Sequence, residues 1–311
     1  AGGMRAVKYG VTRDYVMALE AVLSDGRVIQ VGTKNRKDTT GLDLKDVLVG
    51  SEGTLALITK CLLRLVGKPE ESLSLLVGFS SLKAGIEAVP QILKANLNPT
   101  ALEFIEKKVI KLGEDFLHLR FPADYEAYLL LTFDGSTEEI NSSVKKLKNL
   151  LSETAEEIIT LNDAELSQNV WRIRGCLVKA VEAVSEQEPL DIVVPIARVA
   201  DFVAFVNKLE QKSGMQMISF GHAGDGNVHL CVVRGTRSEE AWEKELHENL
   251  SELYAEARAL GGLISGEHGL GTSKRDFFFA ETPAVNVELM NSVKLAFDPK
   301  RLLTSNISYV K

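Results

Sequence analysis

The segment MQMISFGHAGDGNVHLCVVRG (215–235) constrains the fold more strongly than any other part of the sequence. Two apolar runs flank a short turn rich in glycine and aspartate, which is the pattern of a strand, a loop and a returning strand. Between residue 72 and this segment, helical and strand patterns take turns along the chain. An antiparallel sheet covered by helices, the α+β class, suits a hairpin within such a succession better than a doubly wound parallel sheet does.

Individual elements can be predicted from local signals. Two paired strands are expected within residues 16–32 around the turn Ser24-Asp25-Gly26, and a strand is expected from Leu55 to Leu65. The text KPEE (68–71) changes the composition and marks a domain boundary. The predicted helices include 80–97, which Pro90 should break or kink, 102–117, 136–153 with Ser136 or Thr137 as cap and Glu139 as its reciprocal partner, 197–212 and 238–262.

Composition excludes several classes of protein. The net charge of −7 disfavours a nucleic-acid partner, and no apolar run approaches the ~20 residues of a membrane span. No stretch at the start resembles a signal peptide. The three cysteines share no CxxC spacing, which favours a reduced, cytoplasmic setting with buried thiols. Because the chain starts AGGMRAVKYGV without an initiator methionine, we expect an upstream segment to be missing.

Three of the five histidines lie in two glycine-rich loops. His222 and His229 bracket a turn that contains Asp225, so their imidazoles can converge on one point. With Glu267 from SGEHGLG as a third ligand they would leave a zinc-like ion with open positions, the pattern of a catalytic site. His268 would then lie at the edge of the site. The alternative is that both histidines only hydrogen-bond a turn that Asp225 caps.

The glycine-rich text GHAGDGN does not indicate a nucleotide site. It contains G-x-x-G-x-G rather than the dinucleotide fingerprint, and no P-loop lysine follows it. This argues against an NAD enzyme of the Rossmann type.

Five separated motifs together resemble FAD-linked oxidases of the vanillyl-alcohol-oxidase type. They are AGGMRAVKYGVTRDYV, DVLVGSEGTLALIT, FGHAGDGNVHL, SGEHGLGTSKRDFF and FDPKRLL. The subfamily they resemble contains D-lactate dehydrogenase, the glycolate oxidase catalytic subunit and D-2-hydroxyglutarate dehydrogenase. The resemblance implies that residues 1–68 are the second half of an FAD-binding domain. Residues 69–264 would be a ferredoxin-like cap domain with an antiparallel sheet, and 265–311 would return to the flavin. The first half of the FAD domain should precede Ala1.

The resemblance also implies roles for individual residues. His222, His229 and Glu267 match metal ligands, for zinc or manganese, His268 matches the proton acceptor, and Arg174 matches the arginine that binds the substrate carboxylate. Asn306, or Thr304, takes the place of a flavin-contacting asparagine, because LLTSNI stands where the family reads LLNPGK. The residues implied in FAD binding are Gly2, Gly3, Tyr9, Gly10, Glu52, Gly53, Thr54, Ile58 and Asn306.

The function implied is metal-assisted oxidation of a small D-2-hydroxy acid to the 2-oxo acid, with hydride transfer to FAD. Electrons would pass to a quinone, a cytochrome, an iron–sulfur subunit or an electron-transfer flavoprotein. The alternatives are a zinc hydrolase and a non-catalytic metal-binding fragment or subunit of a flavoprotein complex. A homodimer is compatible with the sequence. The expected location is the cytoplasm, with attachment to a membrane surface through an electron-acceptor partner left open.

Overall fold

The computed structural model describes residues 2–304 and Tyr309. The chain divides into two compact units. The small unit comprises Ala1–Gly2, Gly10–Gly67 and Glu267–Lys311, and the large unit comprises Gly3–Tyr9 and Lys68–Gly266. The predicted boundaries fell after residues 68 and 264. Residues 3–9, predicted in the FAD-binding domain, group with the large unit.

Strands and helices are numbered along the described part of the chain. The strands are β1 (Val16–Val22), β2 (Val28–Gly32), β3 (Leu57–Leu63), β4 (Glu71–Phe79), β5 (Ala101–Glu106), β6 (Ala127–Gly135), β7 (Glu157–Thr160), β8 (Gln187–Val193), β9 (Met217–His222) and β10 (Asn227–Val233). The helices are α1 (Ala6–Tyr9), α2 (Leu44–Leu48), α3 (Leu82–Lys94), α4 (Lys107–Leu117), α5 (Thr137–Leu150), α6 (Ala164–Glu182), α7 (Val199–Ser213), α8 (Glu239–Ala259), α9 (Arg275–Glu281) and α10 (Ala284–Phe297). None of these helices has both the length and the apolar character that a membrane crossing requires.

The small unit contains an antiparallel sheet with the strand order β2-β1-β3 in its described residues. The predicted pairing around the turn at 24–26 is confirmed, with Val22 opposite Val28. Strand β3 lies at an edge of this sheet, and its Leu57, Ile58 and Leu63 side chains are exposed. An edge strand with exposed apolar side chains is a surface to which further polypeptide can add.

The large unit contains a seven-stranded sheet with the order β7-β4-β6-β5-β9-β10-β8 in its described residues. All of its strand pairs are antiparallel. The predicted hairpin is β9–β10, in which His229 pairs with Phe220. The α+β class is therefore confirmed, and the hairpin lies inside the sheet.

Residues 102–117 do not form one helix, so this prediction is wrong. Residues of β5 form a strand in which all six side chains are buried, and helix α4 begins only at Lys107. A strand covered on both faces loses the alternation of polar and apolar residues that identifies strands. The short apolar run therefore looked like the start of the helix that follows it.

Other helix predictions hold with small changes. Ser136 caps α5, and its side chain and that of Glu139 form the reciprocal capping box. Helix α3 continues past Pro90 to Lys94, so the proline does not end it. Of the three cysteines, Cys176 and Cys231 are buried, and burial raises the pKa of the Cys231 thiol to about 12. The prediction of buried thiols is wrong for Cys61, which is exposed on β3.

A buried ion pair closes the core of the small unit. The Lys294 ammonium donates to Asp298 at 2.5 Å and to the backbone oxygens of Thr54 and Leu303, each at 2.6 Å. Both charged side chains are fully buried. Burial disfavours the charged form of Asp298. Hydrogen bonds from Lys294 and from the amides of Leu303 and Leu302 outweigh this effect and hold the pKa of Asp298 well below its usual range.

Replacing Lys294 with methionine should lower the free energy of unfolding by about 3–5 kcal/mol, because it leaves a buried carboxylate without its counter-ion. Chemical denaturation followed by circular dichroism measures the change. Lys300→Met is the matched control, since Lys300 is exposed and lies only two residues beyond Asp298. Equal unfolding free energies for the two variants would contradict the structural role of the pair.

The same pair gives wild-type stability an acid limit. The pKa of Asp298 is lower in the folded protein than in the unfolded chain, so its contribution is fully present above the unfolded value of about 3.9. The contribution should be lost as the pH falls through the lower folded-state pKa. Unfolding free energies measured between pH 7 and pH 2 should therefore decrease at the acid end, and less so in Asp298→Asn.

Candidate functional site

The β9–β10 hairpin brings His222 and His229 together within the large unit. His222 ends β9, a short 3-10 turn covers Ala223–Asp225, and Gly226 has a φ of 83°, a conformation that glycine adopts readily. A Cβ on Gly221 would lie 2.4 Å from the carbonyl oxygen of Asn227, so the two strands approach too closely there for any side chain. The imidazole Nε2 atoms are 3.2 Å apart, and both rings are buried.

This separation fits two ligands of one metal ion. Two nitrogens bound tetrahedrally at the usual Zn–N distance of ~2.0–2.1 Å are separated by ~3.3–3.4 Å. A direct N–H···N hydrogen bond between the rings has a similar length. The Nε2 separation alone therefore does not distinguish a metal site from a hydrogen bond between the rings. The groups at the Nδ1 atoms do, because a neutral imidazole with its proton on Nδ1 presents a lone pair at Nε2.

Glu103 occupies the Nδ1 side of His222. Its two carboxylate oxygens lie 2.7 and 2.9 Å from His222 Nδ1, and the Glu103 side chain is fully buried on β5. Burial alone would raise the pKa of Glu103. The Arg174 guanidinium and His222 outweigh burial, so that the pKa of Glu103 lies below its ordinary value. An ionised Glu103 that accepts from Nδ1–H leaves the Nε2 lone pair of His222 for a metal, as in carboxylate–histidine–zinc arrangements.

Arg174 also binds Glu103. Its Nε donates to Glu103 Oε2 at 2.8 Å, and its Nη2 donates to the same oxygen. The guanidinium carbon lies 5.6 Å from the centre of the Phe220 ring, within cation–π range, and Arg174 is only 9% exposed. The carboxylate that Arg174 binds in the structure is thus the side chain of Glu103. The contact of Arg174 with a substrate carboxylate stays a prediction.

Asp191 on β8 organises the other side of the hairpin. Its Oδ1 accepts from Asn227 Nδ2 at 2.7 Å, and its Oδ2 accepts from the Ser265 hydroxyl and the Gly266 amide, both at 3.0 Å. His229 Nδ1 lies 3.9 Å from Asp191 Oδ1. The carboxylate therefore ties the residue pair 265–266 to the strand next to His229, and Glu267 follows directly in the chain.

Sequence reasoning missed both Glu103 and Asp191. The sequence pattern predicts a helix at Glu103 and a strand at Asp191, and it gives neither carboxylate a role. The available signal was a lone acidic residue in an otherwise apolar run, ALEFI for Glu103 and PLDIVV for Asp191. A charge is rarely fully buried unless it is paired, so such a residue indicates a partner elsewhere in the fold.

In the small unit, Glu52 holds the loop that carries His268. The Glu52 carboxylate accepts from the amides of Leu270 at 3.1 Å and Gly271 at 3.3 Å. Glu52 has a φ of 50°, an unfavourable conformation for a residue with a side chain, which these bonds help to offset. A Cβ on Gly2 would lie 3.2 Å from the Glu267 carboxylate, so the first described residue of the small unit lies beside Glu267. His268 itself is exposed.

The predicted FAD residues of the small unit fit a backbone cradle better than a set of side-chain contacts. Gly50, Glu52 and Gly53 all have positive φ, so the backbone turns sharply at these residues. Gly50 and Gly53 are exposed. The Thr54 hydroxyl is fully buried and bonds Ser51 O and the Tyr309 hydroxyl. Ile58 is half exposed on β3. Asn306 lies outside the described residues, and the alternative Thr304 donates to Gly53 O at 3.0 Å.

The remaining predicted FAD residues lie in the N-terminal segment. Gly10 has a φ of 84°, a conformation that favours glycine, and a Cβ there would displace the Asp14 carboxylate. Within the large unit, the Tyr9 hydroxyl donates to Asp134 Oδ2 at 2.8 Å. Gly3, also in the large unit, has a φ of 114° and its carbonyl oxygen accepts from the amide of Ala6. These contacts fix the segment, and its role at a flavin stays a prediction.

The described fold is an antiparallel α+β unit that holds a buried pair of imidazoles beside carboxylates, and comparison with known proteins defines its family. Residues 68–306 match the family described as FAD linked oxidases, C-terminal domain. The chain belongs to this family.

Relatives and solved structures agree with this assignment. The chain is 37% identical to a D-lactate dehydrogenase of Anaerostipes hadrus, over 97% of this chain and 66% of that protein. It is 32% identical to glycolate oxidase subunit GlcD of Bacillus subtilis, over 100% of this chain and 66% of that protein. Substrate-bound p-cresol methylhydroxylase has the same fold, with a TM-score of 0.78 at 15% identity over 100% of this chain and 68% of that one. The chain thus spans about two thirds of the length of these curated relatives.

Replacing Gly221 with alanine should destabilise the hairpin by about 1–3 kcal/mol, because overpacking a tight contact forces the backbone to move. The new Cβ would lie 2.4 Å from Asn227 O and 3.1 Å from His229 N. Gly175→Ala on α6 is the control, since nothing lies within 4 Å of its Cβ position. Thermal unfolding should show a lower midpoint for Gly221→Ala only. Two unchanged midpoints would show that the hairpin is looser than the structure has it.

Proposed function

We propose that this chain carries the substrate side of an FAD-linked enzyme that oxidises a small D-2-hydroxy acid to the 2-oxo acid with the help of a divalent metal ion. The observation that supports it most is the buried pair of imidazoles, with Nε2 atoms 3.2 Å apart and Glu103 at Nδ1 of His222. The names of two relatives, a D-lactate dehydrogenase and a glycolate oxidase subunit, supply the substrate class.

His222, His229 and Glu267 would hold the metal. The two imidazoles present nitrogen donors, and Glu267 follows Gly266, whose amide is fixed by Asp191. Two histidines and one carboxylate leave open positions, as catalytic zinc sites do. A bound divalent ion would supply a positive charge that lowers the pKa of a coordinated hydroxyl and orients the substrate.

His268 would act as the general base. It follows the proposed ligand Glu267, it is exposed, and its loop is fixed by the bonds from the Leu270 and Gly271 amides to Glu52. An imidazole is a side chain that can take the proton of a substrate hydroxyl as a general base. FAD, when bound, supplies the acceptor for the hydrogen that leaves the carbon.

Membership in an FAD-linked oxidase family favours oxidation over the zinc hydrolase that the ligand set alone would allow. A second candidate is a subunit of a flavoprotein complex in which another polypeptide completes the FAD-binding domain. The exposed apolar side chains of edge strand β3, Leu57, Ile58 and Leu63, support it, because they form a surface suited to strand addition. Native mass spectrometry with added FAD separates the two candidates, since only a self-sufficient chain retains the flavin alone.

Replacing His268 with asparagine should slow reduction of the flavin by a 2-hydroxy acid by about 10²–10⁴-fold, the contribution of a general base. Stopped-flow absorbance of the flavin-loaded protein measures the rate, and metal content should stay at the wild-type level. His118→Asn is the matched control, because His118 is exposed on the large unit and has a φ of 53°, which asparagine tolerates. An unchanged reduction rate in His268→Asn would remove His268 from the proposal.

Replacing His222 with asparagine should weaken metal binding by more than the ~10–100-fold that loss of an outer partner costs. The asparagine amide can still donate to Glu103, so the variant removes the Nε2 ligand while keeping that contact. Competition for Zn²⁺ with a chromophoric chelator measures the affinity, with His118→Asn again as control. Wild-type affinity in His222→Asn would show that the imidazole pair is only a hydrogen-bonded turn.

A further inference from the structure

We infer that Glu103 and Arg174 are a positioning pair for the proposed metal site, in which Glu103 fixes the ring of His222 and Arg174 fixes Glu103. The inference rests on the proposed function, because it concerns the same site. It gives Arg174 a role different from the substrate contact that the sequence predicted.

Glu103 is placed to set both the orientation and the tautomer of His222. Each of its oxygens lies within 3 Å of Nδ1, at 2.7 and 2.9 Å, so the carboxylate straddles the N–H direction of the ring. Rotation of the imidazole would break this contact in a fully buried environment, where an unpaired carboxylate is costly. The proton is thereby kept on Nδ1, and the lone pair stays on Nε2, which faces His229.

Arg174 completes the pairing of Glu103. Two donors of its fork bind Oε2, which leaves Oε1, at 2.7 Å, as the nearer acceptor of the His222 proton. The Phe220 ring supports the guanidinium from one side and lies 5.7 Å from the ring of His229. Because α6, β5 and the hairpin each contribute one member, a change at Arg174 should reach His222 through Glu103.

The substrate-binding role and the positioning role of Arg174 predict different effects of its replacement on KM and on metal affinity. A substrate-binding arginine offers its charge and fork to an incoming carboxylate, so its loss raises KM without changing metal affinity. A positioning arginine already spends that fork on Glu103, so its loss changes metal affinity before any substrate is present. Metal titration in the absence of substrate therefore separates the roles.

The experiment measures Zn²⁺ affinity by chelator competition for wild type, Glu103→Gln, Arg174→Met and the double variant. We expect about 10–100-fold weaker binding in Glu103→Gln and a weakening in Arg174→Met, as for other outer partners of metal-bound histidines. The controls are Glu106→Gln and Arg172→Met. Glu106 is a buried glutamate of the same strand that pairs with Ser219 and Lys108, and Arg172 is exposed on the same helix.

The double variant separates positioning from mere stability. Removing both charges leaves no unpaired ion, so the folding stability of the double variant should recover relative to either single variant. Metal affinity should nevertheless remain low, because no carboxylate fixes His222. Recovery of metal affinity together with stability would overturn the inference, as would wild-type affinity in Glu103→Gln.

A different result would contradict the proposed function itself. If the wild-type protein binds no Zn²⁺ or Mn²⁺, the metal site itself is absent, and the inference falls with it. If the wild type and both controls bind the metal and Arg174→Met changes only the KM for D-lactate, the metal site stands and the positioning role of Arg174 is overturned.

Discussion

The arrangement of the large unit depends on one carboxylate charge placed inside its sheet. Burying an isolated charge costs several kcal/mol, so Glu103 can be ionised there only because Arg174 and His222 meet it. This requirement ties β5, helix α6 and the β9–β10 hairpin to one another at a single point. The position of His222 is thus a consequence of charge pairing as much as of the hairpin turn.

The parts of the fold that sequence predicted correctly are those governed by neighbours in the chain. Ser136 and Glu139 identify the start of α5 because the capping box closes within one turn. The β1–β2 and β9–β10 hairpins follow from turn residues between apolar runs, and the embedded hairpin was enough to indicate an antiparallel sheet. The proximity of His222 and His229 could be predicted for the same reason, since a single short turn separates the two residues.

The parts that sequence missed depend on partners far along the chain. Glu103 and His222 are 119 residues apart, and nothing in ALEFI states that a histidine will lie beside its third residue. Strand β5 is buried on both faces, so its pattern resembled a helix and hid the direction of the Glu103 side chain. Arg174 was correctly placed on a helix, but helical periodicity cannot show which carboxylate a guanidinium will bind.

Two carboxylates that are not proposed as metal ligands hold the chain near Glu267, Asp191 within the large unit and Glu52 within the small unit. Both oxygens of Asp191 accept hydrogen bonds from Asn227, Ser265 and Gly266, and both oxygens of Glu52 accept from backbone amides. These bonds fix the chain on either side of Glu267, at Ser265 and Gly266 before it and at Leu270 and Gly271 after it. The contribution that the structure gives these two carboxylates, each within its own unit, is therefore to hold that segment in place.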